Sequence, residues 1–293
     1  MSRARPRRSA LYVPGHNARA IEKARSVPSD VVIFDLEDAV APAVKEEARR
    51  LVLGELARGG FGHRERVVRV NGLATPWGAG DLAAIAVASP DAVLLPKVED
   101  PLAVEEAERR LAASAGPPGV ALWAMVETPR GVLRAAEVAA VGGRLACLVA
   151  GTSDLVKDLH ARHTPQRLEV LTSLSLVVLA ARANGLAALD GVHLELSDDA
   201  GFEAACRQGV DLGFDGKTLI HPKTVAAANR IFAPAPEAVE HARRVIAAHG
   251  EAEARGVGVV VVDGRLVEAL HVEEARRLVA LAEAVAAIEI SPP

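Results

Sequence analysis

Residues 121–129 read Ala-Leu-Trp-Ala-Met-Val-Glu-Thr-Pro, and residues 145–154 read Leu-Ala-Cys-Leu-Val-Ala-Gly-Thr-Ser-Asp. Each is a short, almost wholly apolar run that ends in a carboxylate. A strand with one wet face alternates apolar and polar residues, whereas a strand covered on both faces does not. These runs therefore predict parallel strands buried on both sides. Working outward, the run around Trp123 begins at Val120. Similar runs occur at Ala10–Val13, Val31–Leu36, Arg66–Val70, Ala92–Pro96, Ala188–His193 and Gly213–Ile220. Helical patterns lie between them, among them Ala18–Ser26, Ala43–Leu56, Pro101–Ala113, Pro165–Asn184 and Asp198–Gln208. Eight βα units over about 230 residues predict an α/β fold, a (β/α)8 TIM barrel spanning residues 1–232. The alternative is an open doubly wound sheet. It would want a glycine-rich phosphate loop, and neither G-x-G-x-x-G nor G-x-x-x-x-G-K is present.

After Ile231 the pattern changes. Phe232-Ala233-Pro234-Ala235-Pro236 reads as a stop. A long helix from about Glu237 to Arg255, a hairpin over Val257–Arg265 and a last helix Val272–Ile288 follow. Residues 233–293 are thus expected to form a helical and hairpin extension, serving as a lid or an oligomer contact.

Composition narrows the function. The chain has 293 residues, 50% of them apolar, enough for a sizeable core. Its net charge of −4 gives no reason to expect a nucleic-acid surface. The basic cluster Arg3, Arg5, Arg7 and Arg8 reads as a solvated tail. No apolar run reaches the ~18 residues of a membrane helix. With no signal peptide evident, a cytoplasmic protein is expected. Cys147 and Cys206 lie in apolar contexts and read as buried reduced thiols.

Chemistry in a parallel barrel gathers at the C-terminal strand ends. There stand Asp35-Leu36-Glu37-Asp38, Arg69-Val70-Asn71, Lys97-Val98-Glu99, Glu127-Thr128-Pro129 and Gly151-Thr152-Ser153-Asp154. Glu127 and Asp154 follow apolar strands directly, where a carboxylate must be paired, hydrogen-bonded or metal-bound. Two carboxylates plus waters suit Mg²⁺, and the lack of nearby His or Cys argues against zinc. Glu37 and Asp38 would position metal-bound waters, or else form a loop salt bridge. Arg69 would grip a substrate carboxylate, or else form a salt bridge to one of the neighbouring carboxylates. Lys97 would be an electrostatic partner in the same pocket. Gly15 and the following amides could cradle an anion, and Arg19 and Lys23, one turn apart on the first helix, could reach a diphosphate. His221, at the end of the last strand, reads as structural.

Taken in order, Arg8–Asn17, Val32–Val40, Val68–Gly72, Leu94–Glu99, Met125–Pro129, Ala150–Leu155, Gly213–Pro222 and Val257–Gly264 resemble the citrate lyase β-subunit family. That family lies within the citryl-, malyl- and citramalyl-thioester lyases. The resemblance implies a Mg²⁺-dependent barrel acting on CoA or acyl-carrier thioesters, commonly a homotrimer. By position it implies Glu127 and Asp154 as metal ligands, with Glu127 also touching substrate. Arg69 would bind the keto-acid carboxylate, and Tyr12, Arg19 and Lys23 would hold the coenzyme. Glu37 and Asp38 would lie near the metal waters. The implied reaction is carbon–carbon cleavage of a 3-hydroxy-3-carboxyacyl thioester to a 2-keto acid and an acyl thioester. A malyl-CoA-type thioesterase, a free-acid aldolase and a citrate lyase subunit dependent on carrier and transferase partners are the alternatives. One departure stands out. Many relatives carry Asp-Gly-Lys-Met-Ile-Asp in the tail, its last Asp moving a proton in a neighbouring subunit's site. Here the stretch is Asp263-Gly264-Arg265-Leu266-Val267-Glu268, so a longer acid, Glu268, would have that role.

Overall fold

The eight apolar runs pair in chain order and close on themselves. β1 (Ser9–Pro14), β2 (Val31–Asp35), β3 (Glu65–Arg69), β4 (Ala92–Leu95), β5 (Ala121–Val126), β6 (Leu145–Ala150), β7 (Ala187–Asp190) and β8 (Gly216–Leu219) form a parallel barrel, with Ser9 opposite Lys217 at the closure. The computed structural model describes residues 5–116, 119–256 and 258–290. These fall into two compact units, the barrel over Arg7–Phe232 and a smaller unit that takes residues 5–6 together with those from Ala233 onward.

Period-two alternation sorts the barrel residues. One parity faces the lumen, where Ala10, Val31, Ile33, Val67, Leu94, Trp123, Met125, Cys147, Val149 and Leu189 pack together. The other parity (Leu11, Val32, Phe34, Val68, Val93, Leu122 and Leu148) packs with the surrounding helices in a larger core. This double burial is why the strands lack polar alternation. Both cysteines are buried and free, as their contexts predicted.

Arg7 and Arg8 do not belong to a solvated tail, whereas Arg5 is exposed. Arg7 makes a bidentate pair with Glu65 at 2.7 and 2.8 Å, and its guanidinium lies 5.0 Å from the Trp123 ring centroid. Arg8 is buried and bonds both Asp30 oxygens at 2.9 Å. These pairs close the N-terminal end of the lumen. Arg3 lies outside the described residues.

Several helices differ in extent from expectation. The stretch predicted as Pro165–Asn184 becomes helical only at Leu171 and ends at Ala183. Gly213–Asp215, read as strand, instead stops a helix. Gly213 adopts φ 97°, and the Phe214 amide donates back to the Gly209 carbonyl at 2.9 Å.

The second unit has its own small core, Ala242, Val245, Val262, Val267, Val272 and Ala275. It comprises helices Pro236–Glu253 and Ala269–Ile290 and an antiparallel hairpin, Val260–Val262 with Arg265–Val267. Asp263 and Gly264 turn the hairpin at φ 50° and 78°, as a two-residue Asp-Gly turn requires. Val257, where the hairpin was expected to begin, lies outside the described residues. Among the described residues no helix is long and apolar enough to cross a membrane.

Candidate active site

The lumen parity continues past the apolar layers and delivers charge to the rim. Val31 and Ile33 lead to Asp35, Val67 leads to Arg69, and Trp123 and Met125 lead to Glu127. Asp35 and Arg69 are register partners across β2 and β3. Arg69 Nε and Nη2 donate to Asp35 Oδ1 and Oδ2 at 2.7 and 2.6 Å, while Nη1 lies 3.0 Å from Glu37 Oε2. The guanidinium also stacks 4.9 Å from the Tyr12 ring centroid. Arg69 therefore does not offer its bidentate fork to a substrate, as expected from sequence. Asp35 holds that fork, and only its outer edges remain for a ligand.

Asp35 is the main residue that sequence reasoning passed over. It is 1% exposed, and its oxygens also accept from the Glu37 and Ala39 amides at 2.9 and 3.1 Å. It orders the β2 loop and the arginine together. Extending the alternation Val31, Ile33, Asp35 by one step is the signal that would have found it.

Glu127 is 2% exposed. Its Oε1 accepts the Lys97 amide at 2.7 Å, and Oε2 accepts no hydrogen bond among the described residues. Burial pushes its carboxyl up from 4.5 to about 8, outweighing the opposing pull of Lys97 and Arg69. Gly151 makes room for it, because a Cβ there would overlap Glu127 Cβ and stand 2.7 Å from Oε2.

Asp154 rises from the first turn of the helix Thr152–Asp158. Its cationic neighbours are Lys97 Nζ at 3.8 Å and Lys157 Nζ at 4.0 Å. The Lys97 ammonium sits 2.5 Å from Glu37 Oε1 and 3.6 Å from Asp38 Oδ1. Burial pushes the Glu37 carboxyl up, whereas Asp38 is held low by its hydrogen bond to Glu37 and by Arg69 and Lys97.

Asp35, Asp38, Arg69, Glu127 and Asp154 line one cavity of about 420 Å³, together with Tyr12. Pro14, Met125, Val192, Leu194 and Ile220 give it an apolar wall. The structure thus brings Tyr12 to the charged cavity. Arg19 and Lys23 line a separate shallow recess with Ser26 and Gly60. Gly15 does not cradle an anion. Its amide donates to the Asp35 carbonyl at 2.8 Å, and a Cβ would meet that oxygen at 2.7 Å. His221 is structural, its Nδ1 accepting the Lys223 amide at 3.1 Å. Glu268 belongs to the second unit, where its amide donates to His271 Nδ1 at 3.1 Å.

A second feature was also missed. Asp190, fully buried at the end of β7, bonds Lys217 Nζ at 2.7 Å and Arg167 Nη1 at 2.8 Å. It joins β7, β8 and the 164–170 loop beside the charged cavity.

The acids suit a hard divalent cation. Among the described residues no cluster of three or more His, Cys, Asp or Glu side chains forms a protein-only metal cage. Mg²⁺ does not need one, since it commonly takes one or two carboxylates and keeps several waters. Glu127 Oε2 and the Asp154 carboxylate, neither of which accepts a hydrogen bond among the described residues, line the same cavity and provide that donor set. Five acids (Asp35, Glu37, Asp38, Glu127 and Asp154) gather here around Arg69 and Lys97, which leaves an excess of negative charge.

Comparison with known proteins gives the family. Residues 8–222 match the HpcH/HpaI aldolase/citrate lyase family. The chain belongs to this family. It is 51% identical to a (3S)-malyl-CoA thioesterase of Cereibacter sphaeroides over 98% of this chain and 99% of that relative. It is 37% identical to the citrate lyase β subunit of Escherichia coli K12, over 95% and 94%. Among solved structures it resembles CitE of Mycobacterium tuberculosis in complex with magnesium, acetoacetate and coenzyme A. That match has TM-score 0.74 and 31% identity, covering 96% of this chain and 98% of that one.

Proposed function

We propose that this chain is a Mg²⁺-dependent enzyme acting on a malyl-CoA-type thioester, in which the carbon bearing hydroxyl and carboxylate is joined to the thioester carbonyl through one intervening α carbon. The observation carrying this reading is Glu127, buried, with Oε2 accepting no hydrogen bond among the described residues, on the lining of one cavity with Asp154. These two residues would hold the metal. Bound there, Mg²⁺ supplies Lewis acidity towards the substrate's hydroxyl and carboxylate oxygens. Arg69, fixed by Asp35, orients the carboxylate through its outer edge, with Tyr12 against its face. Glu37 and Asp38 order the surrounding waters. Arg19 and Lys23 bind the coenzyme's phosphates.

Net hydrolysis is the first outcome, favoured by 51% identity to malyl-CoA thioesterases against 37% to citrate lyase β. Water oxygen bonds to the thioester carbonyl carbon, the carbon–sulfur bond breaks, and sulfur takes a proton to give free acid and CoA. Carbon–carbon cleavage is the second, favoured by the lyase relatives. There the hydroxyl proton passes to solvent, the bond between the hydroxyl carbon and the α carbon breaks, and the electron pair passes to a thioester enolate, which Glu268 of a neighbouring subunit protonates. The products are a 2-keto acid and an acyl thioester. The reading carries with it a cytoplasmic homotrimer, which sizing chromatography tests.

The deciding experiment incubates the purified chain with malyl-, citramalyl- and citryl-CoA and Mg²⁺, recording free thiol and 2-keto acid separately. Thiol without keto acid supports hydrolysis; keto acid with acyl-CoA supports cleavage. No turnover of any of the three overturns the proposal. Undiminished activity in Glu127→Ala or Asp154→Ala overturns the metal assignment.

A further inference from the structure

Lys97 is unusual in two ways. It is a non-glycine residue at φ 49°, a left-handed conformation that side chains disfavour. Such strain persists where the surroundings enforce it and gathers at functional sites. Here the consequence is visible. The turned backbone points the Lys97 amide at Glu127 Oε1 at 2.7 Å, leaving Oε2 on the other side. The side chain meanwhile carries its ammonium back over the rim. It bonds Glu37 at 2.5 Å and reaches Asp38 at 3.6 Å and Asp154 at 3.8 Å. The same residue therefore touches acids from β2, β5 and β6. Arg69 is committed to Asp35 and Glu37, and Lys45 to the Leu36 and Glu37 carbonyls at 2.9 and 2.7 Å. Within the cluster, Lys97 is the cation within 4 Å of both the β2 acids and Asp154.

We propose that Lys97 is a positioning residue that acts as an internal counter-cation, competing with Mg²⁺ for the rim carboxylates and so setting the metal affinity, while its amide fixes the orientation of Glu127. This rests on Glu127 and Asp154 as the metal-binding pair. The charge logic is direct. Clustered acids repel one another wherever they are ionised unless a cation stands among them. A lysine that fills this need also repels an arriving dication and shares Asp154 with it. Its side chain is 45% exposed, so it can swing away when displaced. The site is then held together with or without metal, at the cost of weaker metal binding.

The test is Mg²⁺ titration by calorimetry of the full-length wild type, Lys97→Met and Lys97→Gln. Both variants keep the amide and remove the charge. Mg²⁺ should bind the variants on the order of tenfold more tightly, as expected for removing a unit charge near a dication in a partly solvated site. Their thermal midpoints should be lower than wild type in EDTA and rise more on adding Mg²⁺. In wild type, Mg²⁺ should speed acetylation of the Lys97 amine by acetic anhydride, read by peptide mass mapping. That readout needs no variant to fold. Unchanged or weaker binding in both variants, or no change in Lys97 labelling, overturns the inference. If wild type itself binds no Mg²⁺, the metal reading of Glu127 and Asp154 has failed instead.

Discussion

At the residue scale the decisive effect is desolvation. A buried carboxylate costs several kcal/mol unless a cation or hydrogen bonds compensate, and Glu127 has one amide. Its carboxyl sits near 8 when folded and near 4.5 when unfolded. Between those values the folded state binds the proton more tightly, so stability falls as pH rises from about 4.5 to about 8 and is flat in this respect above. Thermal midpoints in EDTA should therefore drop across that window relative to Glu127→Gln, and Mg²⁺ should restore them at the upper end. A wild type that tracks Glu127→Gln across the window would refute the assignment. Asp35 makes the complementary case. Asp35→Asn removes the charge that holds the Arg69 fork, leaving a buried guanidinium short of its partner. Breaking a buried pair from one side costs about 3–5 kcal/mol. Urea unfolding should show a loss of that order, and kcat/KM should fall at least about a hundredfold through misplacement of Arg69. A loss of stability without the kinetic loss would confine Asp35 to a structural role.

At the element scale, the strand ends and the loops after them explain both what was legible in the sequence and what was not. β6 was read to the residue, Leu145–Ala150, because both of its faces are buried and its apolar run stops where the ladder stops. β7 was overextended to His193, although pairing ends at Asp190. The cause is that Val192 and Leu194 are apolar for another reason, since they wall the charged cavity. Apolar pattern reports burial, and a cavity wall looks like a strand. The rim acids were visible as a set, but the pairing of Arg69 with Asp35 required the β2–β3 register, which one sequence does not state. Charge pairing at the N-terminal end escaped for the same reason, because Glu65 and Asp30 lie far from Arg7 and Arg8 in the chain. The β6 loop also yields a prediction. Gly151→Ala places a methyl against Glu127 Cβ and Oε2, so Glu127 must shift. Mg²⁺ affinity should fall about tenfold or more, in line with the sensitivity of metal sites to groups that orient their ligands, with the circular dichroism spectrum unchanged. Wild-type affinity in Gly151→Ala would show that the loop yields and that Glu127 is not held by it.

At the scale of the whole molecule, the barrel and the second unit bury separate cores, one around the eight strands and one around Val245, Val262 and Val272. Everything proposed to hold the metal lies on the barrel, whereas the acid proposed to protonate an enolate, Glu268, lies on the second unit. The two outcomes of the reaction divide along the same line. Carbon–carbon cleavage leaves an enolate that needs a proton, and hydrolysis does not. Glu268→Gln in the intact chain should therefore leave Mg²⁺ binding unchanged and suppress keto-acid formation by about a hundredfold, the scale of one general acid, while CoA release continues. Parallel loss of both products would place Glu268 in substrate binding or assembly. Undiminished keto acid would remove it from the chemistry, so that a wild type making keto acid must draw its proton from a group on the barrel itself.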